Sequence, residues 1–257
     1  MEELSPETIT KDLDTRFMGQ QVICFESVSS TNDVAKQLAE QGAPEGTLVF
    51  TEEQTAGRGR QKRKWIAPAG SSLLVSFILR PSLTPEQLPL LLMASALAVA
   101  SAIEESTGLK VHFKWPNDIL VGGKKAGGIL TETGLRGEEV NYAVIGVGLN
   151  VNFDVAGIPE IPSTATSIST ELGQAVPRLK VLHSLLTSME REYSLLGEGR
   201  SPHERWAARL AQLGQQVVVD TPWGEERGLL DGVDPNGSLV LRRADGTKVS
   251  ITVGDIN

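Results

Sequence analysis

Apolar positions along the chain change period several times, and each change predicts an element. After Ser30, the residues Val34, Ala35, Leu38 and Ala39 recur at helical spacing. Ser30 with Asp33 three positions on reads as a capping-box start for this helix, and Gly42 ends it. Val22, Ile23, Cys24 and Phe25 form an apolar strand-like run, and 47–51 reads as a short strand. Over 73–80, Leu73, Val75, Phe77 and Leu79 alternate with Leu74, Ser76, Ile78 and Arg80, which predicts a strand buried on one face and mostly buried on the other. From Pro85 to Ser106 the period becomes helical: Leu88, Leu91, Leu92, Ala96, Val99 and Ile103 share a face, with Gly108 just past the end. Strands follow at 111–114, 119–121, 128–133 and 140–151, and Gly122-Gly123 is a two-residue hairpin signal. Leu179, Leu182, Leu186, Met189 and Tyr193 describe a second long amphipathic helix, and Trp206, Leu210 and Leu213 mark a third.

Helices and mainly antiparallel strands thus mix without strict alternation, an α+β pattern. After residue 213 the character shifts to short strands at 217–219, 228–230, 239–242 and 249–253, separated by Trp-Gly, Pro-Asn-Gly and Asp-Gly turns. The expected organisation is a main domain over 1–213 and a small all-β domain over 214–257. The latter is near the size below which a core rarely stabilises itself, so it should pack on the former.

Composition narrows the function classes. The apolar run 88–100 is interrupted by Pro89 and Ser95 and falls short of a bilayer span, so no membrane segment is expected. The first residues carry acids and no apolar block, which argues against a secretory signal and for a cytoplasmic setting. Cys24 is the only cysteine, so an internal disulfide and a cysteine-rich zinc site are excluded, and it reads as a small hydrophobe rather than a catalytic thiol. His112, His183 and His203 show no metal-ligand spacing. A formal net charge of −8 opposes wholesale binding to nucleic acid. Against that background five of the seven residues over 58–64 are basic, a local reversal that needs a reason.

Three segments place polar residues and glycines where packing alone would not. In Gln54-Thr55-Ala56-Gly57-Arg58-Gly59-Arg60, continuing to Lys62-Arg63-Lys64-Trp65, glycines allow close backbone approach and arginines supply forked donors, which suits a carboxylate or phosphate. Taken alone it fits a solvated loop or a nucleic acid contact equally well. Lys114-Trp115-Pro116-Asn117-Asp118 is a turn leaving a strand, and in isolation a purely structural turn explains it better than a site. In Gly122-Gly123-Lys124-Lys125-Ala126-Gly127-Gly128, a hairpin accounts for the first glycine pair but not the second, which marks a bulge or a close approach.

Together with Ser30-Thr31-Asn32 and Gly146-Val147-Gly148-Leu149-Asn150, these motifs resemble the biotin protein ligase family, from about Phe25 through the β tail. The resemblance implies a class II synthetase-like biotin/lipoate ligase core with a mixed, mainly antiparallel sheet and packed helices, followed by a small SH3-like β-barrel. It implies an ATP-dependent ligase that makes biotinyl-5′-AMP and passes biotin to a lysine of a biotin carboxyl carrier protein, with biotin as substrate and Mg²⁺ accompanying ATP. It assigns Ser30, Thr31, Asn32 and Gln54 to the biotin ring system. Arg58, Gly59 and Arg60 become the loop over the acyl-adenylate, and Lys125, with Arg58, the catalytic cations beside the reacting carboxylate. Arg63, Trp65 and Asn150 fall on the nucleotide side, with Asn150 and Asp118 toward the metal, and Asp118 is also a candidate base. One departure stands out: Lys62 occupies a position where the family usually has a second glycine, which should stiffen the loop.

Acyl-adenylate formation needs no enzyme nucleophile, which accounts for the missing triad. A lipoate or octanoate transferase would share the core and the lysine but not the GRGR run with KWPND. Only 29 residues precede Ser30, too few for the winged helix-turn-helix some members carry, so the expectation is a ligase without repressor function. Intact Lys125, Arg58 and Asn150 argue against a dead binding module. Pairing of two copies through the central sheet is compatible with the resemblance.

Overall fold

A computed structural model describes residues 4–257, with the Lys62 side chain, and hence its effect on the loop, outside the described part. The strands of the main body are β1 (Val22–Val28), β2 (Leu48–Gln54), β3 (Ser72–Leu79), β4 (Val111–Lys114), β5 (Asp118–Val121), β6 (Lys124–Arg136) and β7 (Glu139–Asn150). They form one sheet in the order β1-β2-β3-β7-β6-β5-β4. β1 and β2 run parallel, and the other pairs are antiparallel.

The helices are α1 (Pro6–Thr10), α2 (Thr31–Glu40), α3 (Leu88–Thr107), α4 (Ile168–Leu172), α5 (Arg178–Gly197) and α6 (His203–Ala207). α3 and α5 pack together on one face of the sheet, where Val75, Phe77, Ala143, Ile145 and Leu149 join Val99, Ile103, Leu182 and Leu186 in the main core. α2 covers part of the other face, burying Ala35 and Ala39 against Val49, Ile78 and Val144. Strand residues two apart share a face, so β7 splits its sequence between the core and the second face. On that second face, beside α2, the sheet is left open.

Three expectations change. α3 with the turn before it spans Pro85–Thr107 and is long and apolar enough, by length and composition, to cross a membrane, which the interrupted run at 88–100 concealed. Its apolar side chains are instead buried in the core against α5. The third helix stops at Ala207, because Leu210 forms a parallel bridge to Phe113 that pulls the chain onto the edge of β4. The expected capping box at Ser30 does not form: Ser30 is the N-cap residue of α2, but its side chain makes no capping bond. Cys24 is half-buried, and desolvation followed by the charge of Glu52 pushes its thiol up to about 11.

The remaining strands, β8 (Gln216–Thr221), β9 (Gly224–Val233), β10 (Leu239–Arg242), β11 (Lys248–Ile251) and β12 (Asp255–Ile256), form a second sheet in the order β11-β10-β9-β8-β12. Its inward residues Val219, Leu230, Leu239 and Leu241 belong to the same apolar cluster as the main core. Trp206 stacks on Phe113 at 5.5 Å between centroids, Trp115 Nε1 donates to Gly237 O at 3.1 Å, and His203 Nε2 lies 2.7 Å from Val233 O. The small sheet therefore sits on the end of the large one that carries β4 and β5.

Trp206 is 1% exposed at this junction. Trp206→Ala is expected to lower the unfolding free energy by roughly 3–5 kcal/mol, the range for deleting a buried large aromatic. Urea denaturation checks this, and a loss below about 1 kcal/mol would contradict the packing described.

Candidate functional site

The open face beside α2 holds a cleft of about 690 Å³. Its floor is the second face of β3, β7 and β6, where Ser76 pairs with Gly146, Gly146 with Leu130, and Gly148 with Gly128. Two floor glycines are there because side chains rest directly on the backbone. A Cβ on Gly146 would collide with Asn32 Oδ1, and one on Gly148 would lie 2.6 Å from Trp65 Cε2. The roof of the cleft is the segment after β2, which folds into a closed hairpin. Gly59 N donates to Arg63 O at 2.7 Å and Trp65 N to Gly57 O at 2.9 Å, with a tight turn at Arg60–Lys62. A Cβ on Gly59 would meet nothing nearer than Arg63 O at 3.8 Å, so packing in this state does not explain its lack of a side chain.

At the α2 end, Ser30, Thr31 and Asn32 are each 3% exposed. The amide oxygen of Gln54 accepts from Thr31 N at 2.9 Å and Thr31 Oγ1 at 3.1 Å, which turns its NH₂ away from Thr31. Ser76 Oγ, at 2.6 Å from Asn32 Oδ1 and 2.8 Å from Thr31 Oγ1, ties the two together. Asn32 Nδ2 donates to Glu132 Oε2 at 2.8 Å. Asn32 thus has most of its capacity engaged inside the protein, whereas the Ser30 hydroxyl and the Gln54 NH₂ line the cleft without a partner among the described residues.

Arg58 turns toward this same end. Its guanidinium reaches both oxygens of Asp33 at 2.5 Å and Glu132 Oε2 at 3.3 Å, while Lys36 Nζ lies 2.8 Å from Glu132 Oε1 and 3.2 Å from Asp33 Oδ1. Two cations and two carboxylates are mutually compensated there. Burial works to raise the Glu132 carboxyl, but hydrogen bonds from Lys36 and Asn32 outweigh it and leave it lowered.

The opposite end gathers the other cations. Lys125 Nζ is 2.6 Å from Asp118 Oδ1 and 5.8 Å from the centre of the Trp65 ring. Its backbone bonds to Thr164 O and Thr166 N, bringing 160–165 to the rim. Arg60 and Arg63 turn away from Arg58 and meet Asp255, at 3.2 and 2.9 Å. Burial lowers the Arg60 guanidinium, an effect that Asp255 opposes. Lys64 and Lys114 also line the cleft. Asn117 serves as a strut, its Nδ2 donating to Ile129 O at 2.7 Å, and Trp115 points to the other side of the sheet. The KWPND turn therefore contributes Lys114, Asn117 and Asp118 to the cleft and Trp115 to the core.

Asn150 is 3% exposed; its Nδ2 donates to Thr166 O at 2.9 Å, and its Oδ1 is buried without a partner among the described residues. A buried acceptor lining a cleft calls for a donor or a cation. Mg²⁺ commonly takes one or two protein oxygens and completes its shell with waters and phosphate oxygens, so Asn150 Oδ1 fits an ion carried by a polyphosphate. Asp118 can join only by loosening its contact with Lys125.

The structure brings every predicted site residue to one cleft. It adds Lys114 and Asp255 to the lining, and Asp33, Lys36, Ser76 and Glu132 as groups bonded to one another or to lining residues, none of them singled out as a site residue by the motifs. Asp33 reads in the sequence as part of a capping box, and Glu132 falls within the expected strand 128–133 with nothing local to mark it. For Asp255 no local signal exists, because its partners lie 192 and 195 residues away.

Residues 24–150 match the biotin/lipoate A/B protein ligase family and residues 213–257 the biotin protein ligase C-terminal domain. The chain is 38% identical over 249 residues to the bifunctional ligase/repressor BirA of Bacillus subtilis, covering 96% of this chain and 77% of that protein. It is 34% identical over 230 residues to a biotin--[acetyl-CoA-carboxylase] ligase of Paracoccus denitrificans, covering 86% and 93%. Among solved structures, the Aquifex aeolicus biotin protein ligase in complex with biotin and ATP superposes with a TM-score of 0.78 at 29% identity, covering 93% of this chain and 98% of that one.

The Arg58 guanidinium, bonded to both carboxylate oxygens, holds Asp33 down at about 2 from an ordinary 3.8. A depressed folded-state value means that the pair's contribution is fully present above about pH 4 and is lost as pH falls through about 2. An NMR titration is expected to show Asp33 with a midpoint near 2, moving back toward the ordinary range in Arg58→Ala. A midpoint near the ordinary aspartate value in the intact protein would mean that the pair does not form in solution.

Proposed function

Because the chain belongs to the biotin/lipoate A/B protein ligase family and ends in a biotin protein ligase C-terminal domain, we propose that it activates biotin with ATP to biotinyl-5′-AMP and transfers the biotin to a lysine of a carboxyl carrier protein. The observation that carries this reading is the polarity of the cleft. One end offers neutral donors and acceptors (Ser30, Thr31, Gln54) beside internally compensated charges, and the other offers Lys125, Arg60, Arg63, Lys64 and Lys114 around Asn150. That gradient suits a ligand with an uncharged polar ring at one end and a carboxylate meeting phosphates at the other.

In the first step a biotin carboxylate oxygen bonds to the α-phosphorus of ATP and the bond to the β-phosphate oxygen breaks, releasing pyrophosphate. The chain aligns two anions and offsets their repulsion, a task for preorganised cations. Lys125, next to Trp65 at the charged end of the cleft, is placed for the carboxylate and α-phosphate. Arg60, Arg63 and Lys114 are placed for the outer phosphates. Asn150 would hold Mg²⁺, which supplies further charge neutralisation on the phosphates. Arg58, whose fork is already engaged by Asp33, acts as a wall of the ring subsite and an anchor for the hairpin, more than as a phosphate ligand. The hairpin excludes water from the mixed anhydride.

In the second step the acceptor lysine, with an ordinary pKa near 10.4, loses its proton, its nitrogen attacks the biotinyl carbonyl carbon, and the bond to the AMP oxygen breaks. Asp118, held by Lys125, is the carboxylate positioned to receive that proton. A cytoplasmic setting and a homodimer belong to the same proposal.

Given biotin, ATP and Mg²⁺, the purified protein is expected to form biotinyl-AMP and to add one biotin to a carrier domain, read by intact mass. An adduct with lipoate or octanoate and none with biotin would overturn the assignment. Lys125→Ala should fold and bind biotin but form adenylate roughly 10²–10³-fold more slowly in single turnover; an unchanged rate removes Lys125 from the chemistry. Gly146→Ala, which forces Asn32 off the floor, is expected to weaken biotin binding by more than roughly tenfold by calorimetry, at a stability cost of about 1–3 kcal/mol.

A further inference from the structure

We propose that Asp255, in the C-terminal sheet, is a positioning residue for this reaction, holding Arg60 and Arg63 at the nucleotide end of the cleft before ATP arrives. The inference rests on the functional reading above for its kinetic arm only. Asp255 Oδ1 lies 3.2 Å from Arg60 NH1, and Asp255 Oδ2 lies 2.9 Å from Arg63 NH2, so one carboxylate holds two arginines of the roof hairpin. Arg60 also reaches Gly254 O at 3.4 Å.

The carboxylate is on fixed backbone. Asp255 and Ile256 pair with Asp220 and Val219 of β8, Ile256 is 3% exposed, and Asn257 N donates to Val218 O at 2.9 Å. The hairpin tip is the less constrained partner: Arg60–Lys62 is a short irregular turn with Gln61 at φ 52, and the Arg63 side chain is 67% exposed. Without Asp255, the tip would keep its own backbone bonds and the long contact of Arg60 with Gly254 O, and the two flexible guanidiniums would have to be ordered largely by the ligand itself. Ordering them beforehand removes that entropic cost from ATP binding.

Asp255, Arg60 and Arg63 line the same cleft as Lys125 and Asn150, so the contact lies in the cleft that would take the phosphates. It is remote from the α2 end, where Arg58 has its own carboxylates, Asp33 and Glu132. Loss of Asp255 should therefore affect ATP and leave biotin alone.

The test compares wild type, Asp255→Asn and Asp255→Glu in the full chain. Because Arg58, Arg60, Lys62, Arg63 and Lys64 make the hairpin rich in trypsin sites, limited trypsinolysis without ligands reads the tip directly. Asp255→Asn is expected to be cut within 58–64 roughly fivefold faster than wild type, with an unchanged melting temperature. The same variant is expected to raise KM for ATP roughly five- to tenfold and shorten the lifetime of bound biotinyl-AMP, with biotin Kd unchanged. Asp255→Glu should restore part of each effect. Equal cleavage and equal KM would overturn the proposal. So would a lower KM for ATP, since the carboxylate would then be competing with phosphate, or a parallel loss of biotin affinity and melting temperature, which would make it a purely structural contact. Should wild type make no biotinyl-AMP, the functional reading fails, while the proteolysis still decides whether Asp255 holds the hairpin.

Discussion

The seating of Asn32 and Trp65 directly on the backbone of β7 is the constraint on which the site depends. A side chain at Gly146 or Gly148 would collide with them, so the floor strand must be bare at alternate positions on one face while it carries Ile145 and Leu149 into the core on the other. Asn32, once seated, is locked by Ser76 and Glu132, and Glu132 in turn reaches Arg58 and Lys36. Trp65, once seated, lines the cleft and lies beside Lys125. The ring subsite and the charged subsite are both built outward from those two contacts.

Electrostatics then separates the ends. Alternate residues of the roof hairpin face opposite ways, Arg58 toward α2 and Arg60 toward the C-terminal sheet, so one loop serves both subsites. The C-terminal sheet shares its apolar core with the main body and reaches the cleft through Asp255. It is both a packing partner and a part of the wall.

Much of this was legible along the chain. Period-2 and helical apolar patterns located most of the elements, because burial on one face leaves a mark within a few residues. The glycine, arginine and lysine motifs located the cleft, because close backbone approach and anion handling require unusual residue types. What stayed hidden were groups whose meaning depends on distant partners. Asp33 carries the signature of a cap, yet Arg58 takes its carboxylate, and the Ser30 hydroxyl faces the site instead of the helix end. Leu210 kept helical spacing from Trp206, yet pairing with Phe113 overrode it. The run that looked too short to cross a membrane is part of a longer helix because Pro89 sits in its first turn, where a missing N–H costs nothing.

Among the described residues, four of the six cations that line the cleft already have an anionic companion from the protein: Asp33 and Glu132 for Arg58, Asp118 for Lys125, Asp255 for Arg60 and Arg63. Arrival of phosphates at the Lys125 end is therefore an exchange of one set of counter-anions for another, with the protein's own carboxylates in the part that dissolved salt plays at a bare basic surface. The unit that can drift in such a site is the pair. Altering one partner leaves an unbalanced charge against a wall of glycine and indole, so neutral variation must proceed by coordinated change at positions as far apart as Arg60 and Asp255.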